Sequence, residues 1–201
     1  MIAVIDYGLG NVSAFLTVYK KLGVPARPAA RPEDIEGASG LILPGVGAFD
    51  FAMRRLEDSG LRPALEEAVR SGVPVLGVCV GMQMMAVRSE EGSLTGLGWL
   101  DAEVRAFGAS RGVPVPHMGW NEVKSISSCP LFEGLSPDER FYFLHSYYFI
   151  AKDRSLAAAV TDYGGEFDCA AASGRVFGVQ FHPEKSHAAG MRLLENFSKV
   201  S

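Results

Sequence analysis

The sequence predicts an α/β protein: an open, mostly parallel sheet with helices on both faces, and antiparallel strands added in its C-terminal half. Three observations predict it. Short apolar runs alternate with amphipathic stretches over residues 2–88. Strand-like runs follow with no helix of usable length between them. The chain then closes on a helical pattern.

Residues 2–5 are a continuous apolar run, as in a strand buried on both faces. Residues 11–22 read as a helix, with Phe15, Leu16, Val18, Tyr19 and Leu22 on one stripe. Residues 24–28 make a short second strand, and Leu41-Ile42-Leu43 a third that ends at Pro44-Gly45-Val46-Gly47. Residues 49–56 and 61–70 are helical; 73–78 form the strand before Cys79, and 80–88 the helix after it. In the second half, 99–107, 141–150, 156–161, 169–172 and 176–181 read as strands, and 188–200 as the closing helix. No repeat or linker interrupts the chain, so one domain over residues 1–201 is expected.

A chain that is 48% hydrophobic and 21% charged can bury a full core without staples. A net charge of −4 argues against nucleic acid or an anionic membrane as the main partner. Cys79, Cys129 and Cys169 are far apart and include no CxxC, which disfavours a disulfide framework and a zinc site. The first residues lack a basic leader, and no apolar stretch approaches the roughly 18 residues of a membrane span. A reduced, cytoplasmic setting is the expectation.

In parallel sheets, sites lie beyond the carboxyl ends of the strands. Cys79 stands at such an end, where a β-branched run stops at Gly77-Val78-Cys79-Val80-Gly81 and turns helical. This is the cysteine form of a nucleophile elbow, and a helix N-terminus there would favour the thiolate. A distant His182-Pro183-Glu184 supplies a base and a carboxylate two residues apart, on one face if extended. A lone cysteine is most often a small hydrophobe; the pair, each after an apolar strand, points to thiol chemistry. Amides of the Val46-Gly47 turn, with that of Val80, could form an oxyanion hole. Gln83, one turn beyond Cys79, faces either a substrate or solvent. Gly8-Leu9-Gly10-Asn11-Val12-Ser13 lacks the third glycine of a dinucleotide loop, and no P-loop lysine is present. In the aromatic run around His145, the histidine reads as a satisfied core residue. No acidic pattern suggests a metal, and no cofactor is called for.

Together these residues resemble the triad class of glutamine amidotransferases over the whole chain. Asp6-Tyr7-Gly8-Leu9-Gly10-Asn11, Pro44-Gly45-Val46-Gly47-Ala48-Phe49, Pro116-His117-Met118-Gly119-Trp120-Asn121 and His182-Pro183-Glu184-Lys185-Ser186 are similar, within that class, to the glutaminase subunits of imidazole glycerol phosphate synthases. Val78 and Val80 replace the more usual Ile and Leu. The resemblance implies a three-layer, flavodoxin-like sheet and a Cys79-His182-Glu184 triad that hydrolyses L-glutamine. It implies Gln83, Glu91, Ser146 and Tyr147 as glutamine contacts, with Glu90 the alternative to Glu91. It implies a (β/α)₈-barrel cyclase subunit as partner, met by Asn11, Trp120, Tyr142 and Lys185. A glutaminase subunit of a pyridoxal phosphate or anthranilate system, a scaffold without catalysis, and a cysteine protease share parts of the pattern.

Overall fold

The computed structural model describes residues 1–108 and 111–200. In chain order these form β1 (Ile2–Ile5), α1 (Val12–Leu22), β2 (Ala26–Ala29), β3 (Gly40–Gly45), α2 (Phe49–Asp58), α3 (Arg62–Arg70), β4 (Val75–Cys79) and α4 (Val80–Met84). There follow β5 (Arg88–Ser89), β6 (Ala102–Ala106), β7 (His117–Ser125), β8 (Glu139–His145), β9 (Tyr147–Ala151), β10 (Ala157–Asp162), β11 (Glu166–Ser173), β12 (Val176–Val179) and α5 (His187–Lys199).

A nine-stranded sheet runs β2-β1-β3-β4-β12-β11-β10-β7-β8. Its first five strands are parallel, and every later pairing is antiparallel. The crossover from β1 to β2 and that from β3 to β4 run in opposite directions across the sheet. Right-handed connections therefore place their helices on opposite faces. On one side α1 meets α5, where the Tyr19 hydroxyl donates to the Leu194 carbonyl. All residues of β1, β3 and β4 are buried, which is why these strands are continuous apolar runs. A second sheet, β5-β6-β9, flanks the site end.

Local chemistry sets the element ends. The Asn11 side chain caps α1 by accepting from the Ala14 amide at 3.1 Å. Gly23, at φ 69°, closes the same helix with its amide on the Lys20 carbonyl.

Three expectations need correction. The helix after Cys79 ends at Met84, not at residue 88. Leu97, Leu100 and Gly98 donate to the carbonyls of Met84, Met85 and Ala86, taking the acceptors a longer helix would use. The run 141–150 is two strands rather than one. β8 pairs with β7 in the large sheet and β9 with β6 in the small one, so the chain changes sheets at Ser146. Finally β7, nine residues long, was not expected as a strand; it alternates buried and exposed residues instead of forming an apolar run.

Candidate active site

The parallel pairing of β12 with β4 builds the site. Val179 stands beside Val78, so the residues leaving β12 emerge next to Cys79, about one hundred positions earlier in sequence. Cys79 sits at φ 56° and ψ −114°, a positive φ that an L-residue adopts only when its surroundings force it. The forcing is visible in three glycines. A Cβ on Gly81 would lie 1.9 Å from the Leu43 carbonyl oxygen. One on Gly45 would lie 2.4 Å from the Gly81 nitrogen, and one on Gly77 would meet Met85 and the Gly81 backbone at 2.7–2.8 Å. The elbow is pressed against the end of β3, which carries the Pro44–Gly47 turn.

His182 and Glu184 meet, though not as an extended pair. Residues Pro183–Lys185 form a 3₁₀ turn capped by His182, and Glu184 curls back so that Oε1 accepts from Nδ1 at 2.8 Å. Ser186 ties the turn down: its hydroxyl donates to the His182 carbonyl at 2.6 Å and accepts from the Tyr142 amide at 3.0 Å. With Nδ1 on Glu184, Nε2 is the ring nitrogen left to exchange a proton with the thiol. Burial alone would push the His182 pKa down. Its hydrogen bonds to Cys79 and Glu184, and their negative charge, outweigh that and raise it to about 10. The second carboxylate oxygen of Glu184 is buried with no hydrogen-bond partner among the described residues.

A cavity of about 360 Å³ opens above the sulfur, lined by Val46, Gly47, Val80, Gln83, Glu91, Pro116, Leu144, His145, Ser146, Tyr147, His182 and Lys185 as well as Cys79. It therefore gathers every sequence-predicted oxyanion and glutamine-contact residue. Gln83 is not solvent-facing: it is buried, and its Nε2 donates to the Tyr147 carbonyl at 2.9 Å and to Gln180 Oε1 at 3.1 Å. Glu91 borders the cavity, whereas Glu90 turns away to accept from the Ala106 amide. Glu91 Oε2 also accepts from the Phe49 amide at 2.8 Å, where α2 begins behind the turn. Burial raises the Glu91 pKa despite that bond.

His145 is a satisfied core histidine, as its sequence context suggested, and it is one link in a polarised chain. A carbonyl can only accept, so the 2.8 Å contact of His145 Nδ1 with the Tyr147 oxygen makes Nδ1 the protonated nitrogen. His145 Nε2 is then an acceptor, His117 Nδ1 donates to it at 2.9 Å, and Asn121 Nδ2 donates to His117 Nε2 at 3.3 Å. Both rings are neutral: burial lowers the pKa of His117 to about 4 and that of His145 to about 3.

Of the four residues expected at a partner surface, Lys185 lines the cavity and the others are placed through it or beside it. Trp120 and Tyr142 meet edge-on at 6.1 Å, Lys185 stands 5.8 Å above the Tyr142 ring, and His187 stacks on Trp120 at 5.1 Å. Asn11 borders a smaller pocket with Lys185 and Glu184. The Gly8 and Gly10 turn serves packing: a Cβ on Gly10 would lie 2.6 Å from Pro44 Cβ, and one on Gly8 2.3 Å from Arg55.

Residues 3–200 match the glutamine amidotransferase class-I family. The chain is 53% identical over 204 residues to the imidazole glycerol phosphate synthase subunit HisH of Bdellovibrio bacteriovorus, with all of both chains covered. It is 48% identical over 201 residues to subunit HisH 2 of that synthase from Pseudomonas aeruginosa, again with all of both covered. Among solved structures it resembles a glutamine amidotransferase with a TM-score of 0.76 and 21% identity, covering 99% of this chain and 97% of that one. It also resembles one from Thermotoga maritima with a TM-score of 0.66 and 18% identity, covering 99% and 82%. The chain belongs to the class-I glutamine amidotransferases, alongside relatives that are HisH subunits.

Proposed function

We propose that this chain hydrolyses glutamine to glutamate and ammonia with Cys79, His182 and Glu184, and passes the ammonia to a cyclase subunit of imidazole glycerol phosphate synthase in histidine biosynthesis. The observation that carries the reading is the strained Cys79 elbow beside the His182–Glu184 pair, at the floor of a cavity sized for an amino acid. The Cys79 thiolate attacks the side-chain amide carbon. The oxyanion is held by the Val80 amide, which starts α4 and has no intrahelical acceptor, and by amides of the Val46-Gly47 turn. The intermediate collapses to a thioester as His182 protonates the departing nitrogen, releasing ammonia. His182 then takes a proton from water, hydroxide adds to the thioester, and glutamate leaves with the thiol restored. Glu184 holds the ring throughout.

Glu91 supplies a carboxylate for the α-ammonium of glutamine. Gln83 has both amide protons committed to Tyr147 and Gln180, so it offers a ligand only an acceptor, suited to the same ammonium. The bend at Ser146 and Tyr147 is left for the α-carboxylate. We read residues 1–201 as one catalytic domain acting in the cytoplasm; no helix among the described residues is long and apolar enough to cross a membrane.

Exposed Val46 and Leu144 line the cavity with Lys185, and on the β7–β8 ladder exposed Met118 and Trp120 stand opposite Leu144 and Tyr142, apolar surface suited to a docked barrel. Closure there keeps ammonia unprotonated and local. It also allows control: the Pro44 turn packs on Gly10 beside Asn11, so a partner seated there can bias the oxyanion amides.

The test is glutamate formation by the isolated chain, by its complex with the cyclase, and by the complex loaded with acceptor nucleotide. Completing one oxyanion donor predicts a rise of about 10²–10³ in kcat. Rates equal within about threefold would rule out the switch. In the complex, Cys79→Ala should abolish glutamine-dependent synthesis and leave ammonia-dependent synthesis intact; survival of the former would mean another nucleophile.

A further inference from the structure

Gln180 leaves β12 directly beside Cys79 and is completely buried. A buried amide must place four hydrogen-bonding positions, and here their orientation is forced. The Tyr147 carbonyl, an acceptor, faces Gln83 at 2.9 Å, so the Gln83 atom there is the nitrogen. That nitrogen also faces Gln180 at 3.1 Å, so the Gln180 atom there is the oxygen. The amide plane then leaves Gln180 Nε2 pointing at Cys79 Sγ, 3.8 Å away. The alternative flip would set the Gln180 nitrogen against the Gln83 nitrogen, two donors facing each other, and the Gln180 oxygen against the sulfur.

We propose that Gln180 is a catalytic residue of the glutaminase reaction: its Nε2–H donates to the Cys79 sulfur and stabilises the thiolate. The inference rests on the proposed glutamine hydrolysis and adds to the triad a neutral donor that holds the nucleophile's charge. Other groups face the same sulfur. His182 supplies a proton partner, backed by Glu184. The Leu144 carbonyl, 3.8 Å away, accepts only from the protonated thiol. The Tyr7 phenol lies close enough for the thiolate charge to add to burial in pushing its own pKa up. His145, near His182, is neutral. Among these, Gln180 is the uncharged group whose donor faces the sulfur. When the thiolate becomes a thioester its charge is lost, so the bond is strongest before attack and weakens as the acyl-enzyme forms.

The experiment is the pH profile of Cys79 alkylation by iodoacetamide, read by mass spectrometry of the Cys79 peptide, in wild type, Gln180→Glu and Gln180→Met. This readout does not require glutamine turnover. Gln180→Glu preserves shape and an acceptor for Gln83 but sets a carboxylate oxygen against the sulfur. It should move the alkylation midpoint up by about one pH unit or more, a tenfold change in thiolate at fixed pH. Gln180→Met, which removes the donor without adding charge, should move it less in the same direction. In both, kcat for glutamine should fall by about tenfold or more with KM changed by less than about threefold. Profiles coinciding with wild type would overturn the proposal. A wild-type chain that is alkylated at Cys79 but hydrolyses no glutamine even in its complex with the cyclase and acceptor nucleotide would instead overturn the function. Should the variants not fold, the side-chain amide protons of Gln180 in the wild-type NMR spectrum decide it. They must shift when Cys79 is replaced by alanine, and unchanged positions would exclude the bond.

Discussion

The hydroxyl of Tyr7 donates to the carbonyl of Pro44 at 2.7 Å, from a side chain that is almost wholly buried. The bond fixes the first peptide of the turn that carries Val46 and Gly47, while Glu91 holds the turn's far end through the Phe49 amide. The turn is therefore anchored at both ends.

Tyr7→Phe removes the first anchor and leaves a buried carbonyl unpaired. That costs about 1–3 kcal/mol, or a fall of roughly 2–12 °C in Tm for a chain of this size. The glutaminase kcat of the complex should fall more than its KM rises, because a loosened turn presents its amides poorly to the oxyanion. Thermal melts and steady-state kinetics on one preparation check both. An unchanged kcat would show that the anchor serves stability alone.

Glu184→Gln should slow turnover less than His182→Ala. The glutamine can still accept from Nδ1, whereas losing the general acid–base costs about 10²–10⁴-fold. Loss of the carboxylate charge also removes one of the causes that raise the His182 pKa, so the ring should titrate lower in this variant. Kinetics on the two proteins and an NMR titration of His182 test the ranking. A loss at Glu184 equal to that at His182 would mean the carboxylate does more than orient the ring.

Two glycines at the site should respond to alanine in the same direction but by very different amounts. Gly47 has φ 83° and open space around a new Cβ, so Gly47→Ala pays only the left-handed backbone cost of about 1–2 kcal/mol. It should melt a few degrees lower, with altered partner activation. Gly81→Ala drives a methyl into the Leu43 carbonyl and should leave little folded protein. Similar melting temperatures for both would contradict the packing described for the elbow.

Stability should fall in acid through the His117–His145 pair. Both folded pKa values, about 4 and about 3, lie below the unfolded value of about 6.5. The unfolded chain thus takes up protons first. The contribution is full above about pH 6.5 and is lost as pH falls toward 3–4, by about 1.4 kcal/mol per unit for each ring. Urea unfolding of wild type and His117→Gln between about pH 4.5 and 7.5 isolates one ring. A stability difference between the two that stays flat with pH would disprove the neutral pair.

The parallel half, and the residues Cys79, His182 and Glu184 that the fold brings together, were legible because their signals are local. Strands buried on both faces are unbroken apolar runs, and the elbow and His182-Pro183-Glu184 are short motifs. What stayed hidden depends on partners distant in sequence. β7 is a strand through its ladder with β8, not through its own pattern of exposed Met118, Trp120 and Lys124. The helix after Cys79 stops where residues 97–100 claim its carbonyls. His182 and Glu184 meet through a 3₁₀ turn, a geometry their two-residue spacing does not reveal. Gln180 had one sequence signal, a lone amide within Val176-Phe177-Gly178-Val179-Gln180-Phe181. A polar side chain there must be satisfied, but only the fold says by what.

The pairing of β12 with β4 has a consequence for safety. A thiol activated at all times would be open to oxidants and stray electrophiles. Here the proposed base, His182, and the proposed nucleophile, Cys79, arrive at the ends of neighbouring strands from opposite halves of the chain. Any fluctuation that peels β12 from β4 separates sulfur from imidazole. On the proposed chemistry, reactivity is thus a property of the closed sheet, and a half-folded copy would lack it.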